Sequence, residues 1–118
     1  MSIWEVRKPT THMRKLCKCL GAKYSIRVID FERVIYRDLS NGYDIEISGM
    51  NTTSLRKKAT IYLWKNKEII VRGLKGVPQD SIDKYVEELK NFAEGLINDD
   101  FDSDGFYKGK RYIHVSKQ

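Results

Sequence analysis

Arg27, Arg33 and Arg37, with the contiguous triplet Arg56, Lys57 and Lys58, are the side chains of this sequence best suited to neutralising phosphates. Just behind them come Tyr62 and Trp64, aromatics of the kind that stack on unpaired bases. Other groups that could do chemistry carry weaker signals. Asp100-x-Asp102-x-Asp104-Gly105 matches the first half of an EF-hand loop, but the twelfth position is Arg111, where a bidentate Glu is required. That stretch reads as a solvated acidic loop. Asp30, Glu32, Asp44 and Glu46 fall on neighbouring strand segments, where a metal-dependent nuclease would want carboxylates; strand alternation accounts for them more simply. His12 and His114 have no Ser or Cys partner at a recognisable spacing. Cys17 and Cys19 are too close in sequence for an unstrained disulfide, and both are expected to remain thiols. The glycines are scattered at turns rather than gathered into a phosphate-cradling loop. No catalytic residue, metal or cofactor is expected, and the chain reads as non-enzymatic.

The elements that would position these residues follow from periodicity. Thr10 or Thr11 can cap a short helix in which Met13, Leu16, Cys17 and Leu20 form an apolar stripe, with Gly21 as its stop. Ile3, Trp4 and Val6 suggest a short edge strand before it. Lys23–Asp30 and Glu32–Leu39 alternate as strands, and Asn41-Gly42 is a hairpin signal. Centred there, the turn sets Arg37 opposite Glu46, Tyr36 opposite Ile47 and Asp38 opposite Ile45. Val34, Tyr36, Ile45 and Ile47 would then share one face, and Arg33, Arg37, Glu46 and Ser48 the other, the solvent face, on which Arg27 is also expected. Residues 50–58 read as a polar loop.

A second hairpin, from Ala59 to Leu74, is expected to turn at Asn66-Lys67, setting Lys65 opposite Glu68, Trp64 opposite Ile69 and Leu63 opposite Ile70. Tyr62, Trp64, Ile69 and Val71 would line one face; Ile61, Leu63 and Ile70 the other. Helical spacing predicts a long helix from Pro78 to about Leu96, followed by the acidic loop 98–105 and a strand within 108–115. The order is α-β-β-β-β-β-α. It implies a single α+β domain over residues 1–118: an antiparallel sheet of about five strands, with the long helix on one face.

Charge is unevenly spread. Residues 1–76 hold 16 Lys and Arg against 7 Asp and Glu, residues 77–106 hold 2 against 9, and residues 107–118 hold 4 against none. The result is a basic body, an acidic segment and a basic tail, which points to a polyanionic partner. No apolar run is long enough to span a bilayer and no export signal opens the chain, so cytoplasmic residence is expected. The expected function is therefore a small basic module that engages nucleic acid through a cationic sheet face and loop. The alternative is a protein-directed inhibitor or adaptor, of the sort phages and mobile elements carry, that binds a host or partner protein through the apolar hairpin. A homodimer is another way to cover that hairpin.

Overall fold

The computed structural model describes residues 7–49 and 58–115. Thr10 is extended, and its Oγ1 accepts the Met13 N–H at 3.1 Å, so helix α1 (Thr11–Leu20) starts on a side-chain cap. Gly21 ends it at φ 120°, a conformation that few residues with a Cβ adopt. Met13 and Cys17 turn inward, while Arg14, Lys15 and Lys18 are exposed. Strands β1 (Ser25–Ile29), β2 (Glu32–Asp38), β3 (Tyr43–Ser48), β4 (Lys58–Lys65) and β5 (Ile69–Pro78) form an antiparallel meander. The chain continues through a turn at Gln79–Ser81 and helix α2 (Ile82–Glu94). Strand β6 (Tyr112–His114) then joins the outer edge of β5 in parallel.

The fold is α+β, but among the described residues the sheet has six strands and is mixed rather than an antiparallel sheet of about five. The parallel pair arises because the chain after β5 returns along the sheet before pairing again. Pro78 closes β5 rather than opening the helix, which begins at Ile82. The expected strand at residues 3–6 and the loop at 50–57 lie outside the described residues. Among the described residues, no helix is long and apolar enough to cross a membrane.

Both hairpins depart from the expected register by one residue. The β2–β3 loop has three residues, not two: Leu39 N–H bonds Tyr43 O at 2.9 Å across Ser40, Asn41 and Gly42. Asp38 Oδ1 accepts the Ser40 N–H and Asn41 Oδ1 accepts the Tyr43 N–H, while Ser40 takes φ 63° and Gly42 φ 89°. Tyr36 therefore pairs with Glu46 and Arg37 with Ile45. In the second hairpin Asn66 and Lys67 are both left-handed, and Lys65 pairs with Ile69 and Trp64 with Ile70. An irregularity between Leu63 and Trp64 shifts the register again, so that Leu63 pairs with Arg72. Val71 consequently joins the core rather than the face of Trp64.

The core lies on one side of the sheet. Ile35, Ile45, Ile47, Ile61, Leu63 and Val71 pack there beneath Met13 of α1 and Ile82, Val86, Leu89 and Ala93 of α2. Full burial of each such side chain contributes about 1.5–3 kcal/mol, and this packing holds helices too short to persist alone. The segment after α2 is tied down by aromatics and cations. The Arg72 guanidinium lies 4.0 Å over the Phe92 ring, Lys65 Nζ lies 3.6 Å over Phe101, and Tyr107 meets both phenylalanines edge-on.

Candidate nucleic-acid interface

With α1 and α2 on one side, the other side of the sheet bears no helix among the described residues; on this open face Val34 and Tyr36 are nonetheless buried. Alternation from the core residues assigns it Arg27 and Ile29 from β1, Val34 and Tyr36 from β2, Asp44 and Glu46 from β3, Tyr62 and Trp64 from β4, and Gly73 and Tyr112 from β5 and β6. The expected sharing of one face by Arg27, Arg33 and Arg37 is not what the register produces. Arg27 stands opposite Val34 on the open face, its guanidinium 4.2 Å from the Tyr36 ring centre. Arg33 and Arg37 flank Ile35 and project to the helix side. There Arg33 Nε donates to Arg7 O at 3.2 Å, and Arg37 Nη1 donates to Tyr24 Oη at 3.2 Å. Arg56 and Lys57 lie outside the described residues; Lys58 opens β4 and is exposed. Tyr62 and Trp64 do share a face, as expected, and both are half-buried.

Two carboxylates share this face with the aromatics, Asp44 opposite Trp64 and Glu46 opposite Tyr62, and the one-residue shift brings Tyr36 of β2 to join them. Asp44 and Glu46 are only 4% and 6% exposed. Tyr36 Oη donates a short hydrogen bond to Asp44 Oδ2, and Trp64 Nε1 donates to Glu46 Oε1 at 2.9 Å. Burial pushes the Glu46 carboxyl above its ordinary range; the negative charges of Glu32 and Asp30 add to this, and the Trp64 bond opposes it. Burial, with the bond to Asp44, also raises the Tyr36 hydroxyl, which stays protonated as the donor. On this face a cleft of about 370 Å³ is lined by Arg27, Ile29, Asp30, Tyr36, Asp44, Trp64 and Lys67.

Farther along, Gly73 lets two rings close over the backbone. A Cβ there would meet Tyr112 at 2.8 Å and Tyr62 at 3.3 Å, so glycine permits a continuous Tyr62–Gly73–Tyr112 surface.

On the helix side, the end of the molecule that carries α1 is cationic. Between Arg7 and Ile29 every Lys, Arg, Asp or Glu position is Lys or Arg. A groove of about 490 Å³ between α1 and β1 is lined by Arg14, Lys18, Tyr24 and Ile26, with Cys17 at its wall. Arg37 reaches the Tyr24 hydroxyl from behind it. Burial raises the Cys17 thiol, which suits a packing role; Cys17 and Cys19 are both free thiols.

Arg14, Lys18 and Lys23 were not among the expected phosphate-binding residues. The signal for them was the acid-free run itself, which outlasts the helix and continues into β1. Nor did the spacing of Gly73 and Tyr112, nearly forty positions apart, announce that they would meet.

The acidic loop spends its carboxylates on its own backbone. Asp102 Oδ1 accepts the N–H groups of Asp104 and Phe106, and Asp100 Oδ2 accepts that of Ile97. Among the described residues, no group of three or more His, Cys, Asp or Glu is arranged to hold a metal ion. Comparison with protein-family models, with curated proteins and with solved structures finds no match.

Proposed function

We propose that this chain is a non-enzymatic nucleic-acid-binding module. Its phosphate-facing surface is the cationic end made by α1, β1 and β2, rather than a single sheet face. The observation that carries this reading is the acid-free run from Arg7 to Ile29, folded so that Arg14 and Lys18 line the same groove as Tyr24. Arg37 donates to the hydroxyl of Tyr24, which lines the groove, and Arg27 stands on the open face. Like charges concentrated in this way raise the local potential and attract a polyanion. Tyr62 and Trp64, on the open face beyond Arg27, are the aromatic positions available for stacking.

The test is titration of labelled single- and double-stranded oligonucleotides at two salt concentrations, read by fluorescence anisotropy. Binding that weakens steeply with salt is expected. Absence of binding at low salt would remove this reading and favour docking of a partner protein on the aromatic open face.

A further inference from the structure

We propose that the open-face cleft receives one unstacked nucleobase bearing an exocyclic amino group, so that the module prefers single strands containing cytosine, adenine or guanine over uracil or thymine. The inference rests on the nucleic-acid reading above and adds what that reading lacks, a device for choosing among bases.

Three features of the cleft carry it. Its volume, about 370 Å³, falls in the lower part of the range for small-molecule sites, roughly 300–1,000 Å³. Its polarity is graded: the exposed charges that line it are Arg27, Lys67 and the single carboxylate Asp30, whereas Asp44 is a carboxylate only 4% exposed. A nucleotide is graded in the same sense, with an anionic phosphate at one end and N–H donors on the base edge at the other. A pure anion would be repelled by Asp44, and a simple cation would meet Arg27 and Lys67, which outnumber Asp30 among the exposed lining charges. The third feature is that the inner groups are held in place. Tyr36 donates to Asp44, and the Trp64 indole is tied through Nε1 to Glu46. A carboxylate offers about four acceptor sites, so one bond from Tyr36 leaves Asp44 able to take an amino N–H.

Selectivity follows from what an acceptor-only group tolerates. The exocyclic amine of cytosine or adenine, or that of guanine, offers hydrogens to Asp44. Thymine and uracil present carbonyl oxygens where cytosine carries its amine, and their one ring donor, N3–H, lies between two carbonyls, so a carboxylate drawn to it also faces two repelling acceptors. Trp64 supplies a ring surface that any base can use, so stacking adds affinity and Asp44 adds choice.

The experiment compares oligo-dC and oligo-dT of equal length at one salt concentration, so that the backbone contribution is the same for both. Affinity is read by anisotropy, and the indole N–H of Trp64 by NMR, assigned with Trp64→Phe because Trp4 gives a second signal. The expected result is binding of oligo-dC about tenfold tighter than oligo-dT, together with a shift of the Trp64 indole resonance. In Asp44→Asn the preference should collapse while binding persists. Equal affinity for the two strands, or an unmoved Trp64 resonance on saturation with oligo-dC, overturns the cleft assignment and leaves the backbone-binding reading standing. Binding of neither strand overturns both. If Asp44→Asn does not fold, the two wild-type measurements still decide.

Discussion

Glu46 is the residue whose environment has the clearest measurable consequence. Its carboxyl is nearly covered, its near charges are negative, and one indole N–H is its side-chain donor among the described residues. Such a group titrates higher in the folded protein than in the unfolded chain. The folded state then holds the proton more tightly, so stability from this residue is fully present below its unfolded value and is lost as pH rises through the raised folded one. The cost of the buried charge therefore grows as pH rises above the ordinary carboxylate range toward the raised folded value. Glu46→Gln, which keeps an oxygen for Trp64, is expected to raise the melting temperature near neutral pH. That gain should shrink toward zero as pH falls below the ordinary carboxylate range. A series of thermal melts across pH checks this, and an advantage that persists unchanged into acid would mean the charge is not its source.

Among the elements, the edge formed by β5 and β6 depends most on a single position. Tyr112 lies where a Gly73 side chain would be, Gly73 N–H bonds Arg111 O at 2.6 Å, and Val115 N–H bonds Lys75 O at 2.8 Å. Gly73→Ala should displace the Tyr112 ring and loosen β6 while leaving β1 to β4 paired. Hydrogen exchange would then show faster amides at Tyr112–His114 and unchanged ones in β3. At the same scale, Thr10→Ala should cost about 1 kcal/mol through loss of the α1 cap, measurable by chemical denaturation.

Legibility from sequence divides along these lines. The existence of both helices, the positions of the first five strands and a threonine cap at Thr10 or Thr11 were readable, because each depends on local periodicity or on a neighbouring residue. Strand register was not. Asn41-Gly42 and Asn66-Lys67 are good two-residue turns, yet Ser40 and Glu68 are drawn into the loops, and one extra residue exchanges the faces of everything beyond. Hence Tyr62 and Trp64 were correctly placed together and Glu46 opposite the face of Ile45 and Ile47, whereas Tyr36 beside Glu46, and Arg33 and Arg37 across from Arg27, were not.

At the scale of the whole molecule, charge is sorted by helix. Arg14, Lys15 and Lys18 project from α1, whereas Asp83, Glu87, Glu88 and Glu94 are exposed on α2. If the cationic end binds phosphates, the location of charge must matter more than its total. Arg14→Glu with Lys18→Glu should weaken oligonucleotide binding at low salt and flatten its salt dependence by about 0.7–0.9 in logarithmic slope for each phosphate no longer neutralised. Lys84→Glu with Lys90→Glu makes the same change in net charge on α2 and should leave affinity almost untouched. Equal effects from the two pairs would reduce the attraction to bulk charge and remove α1 from the binding surface.

The parallel docking of β6 also bears on how the chain matures. An antiparallel neighbour could have followed β5 through a tight turn, but Tyr112 arrives more than thirty positions after Pro78, once α2 has been made. On the ribosome, the outer flank of β5 stays unpaired through that interval, with its backbone donors and acceptors open to other nascent chains. A version ending before Arg111 should leave this flank permanently uncovered. It is expected to form concentration-dependent aggregates in light scattering under conditions where the longer chain stays dispersed.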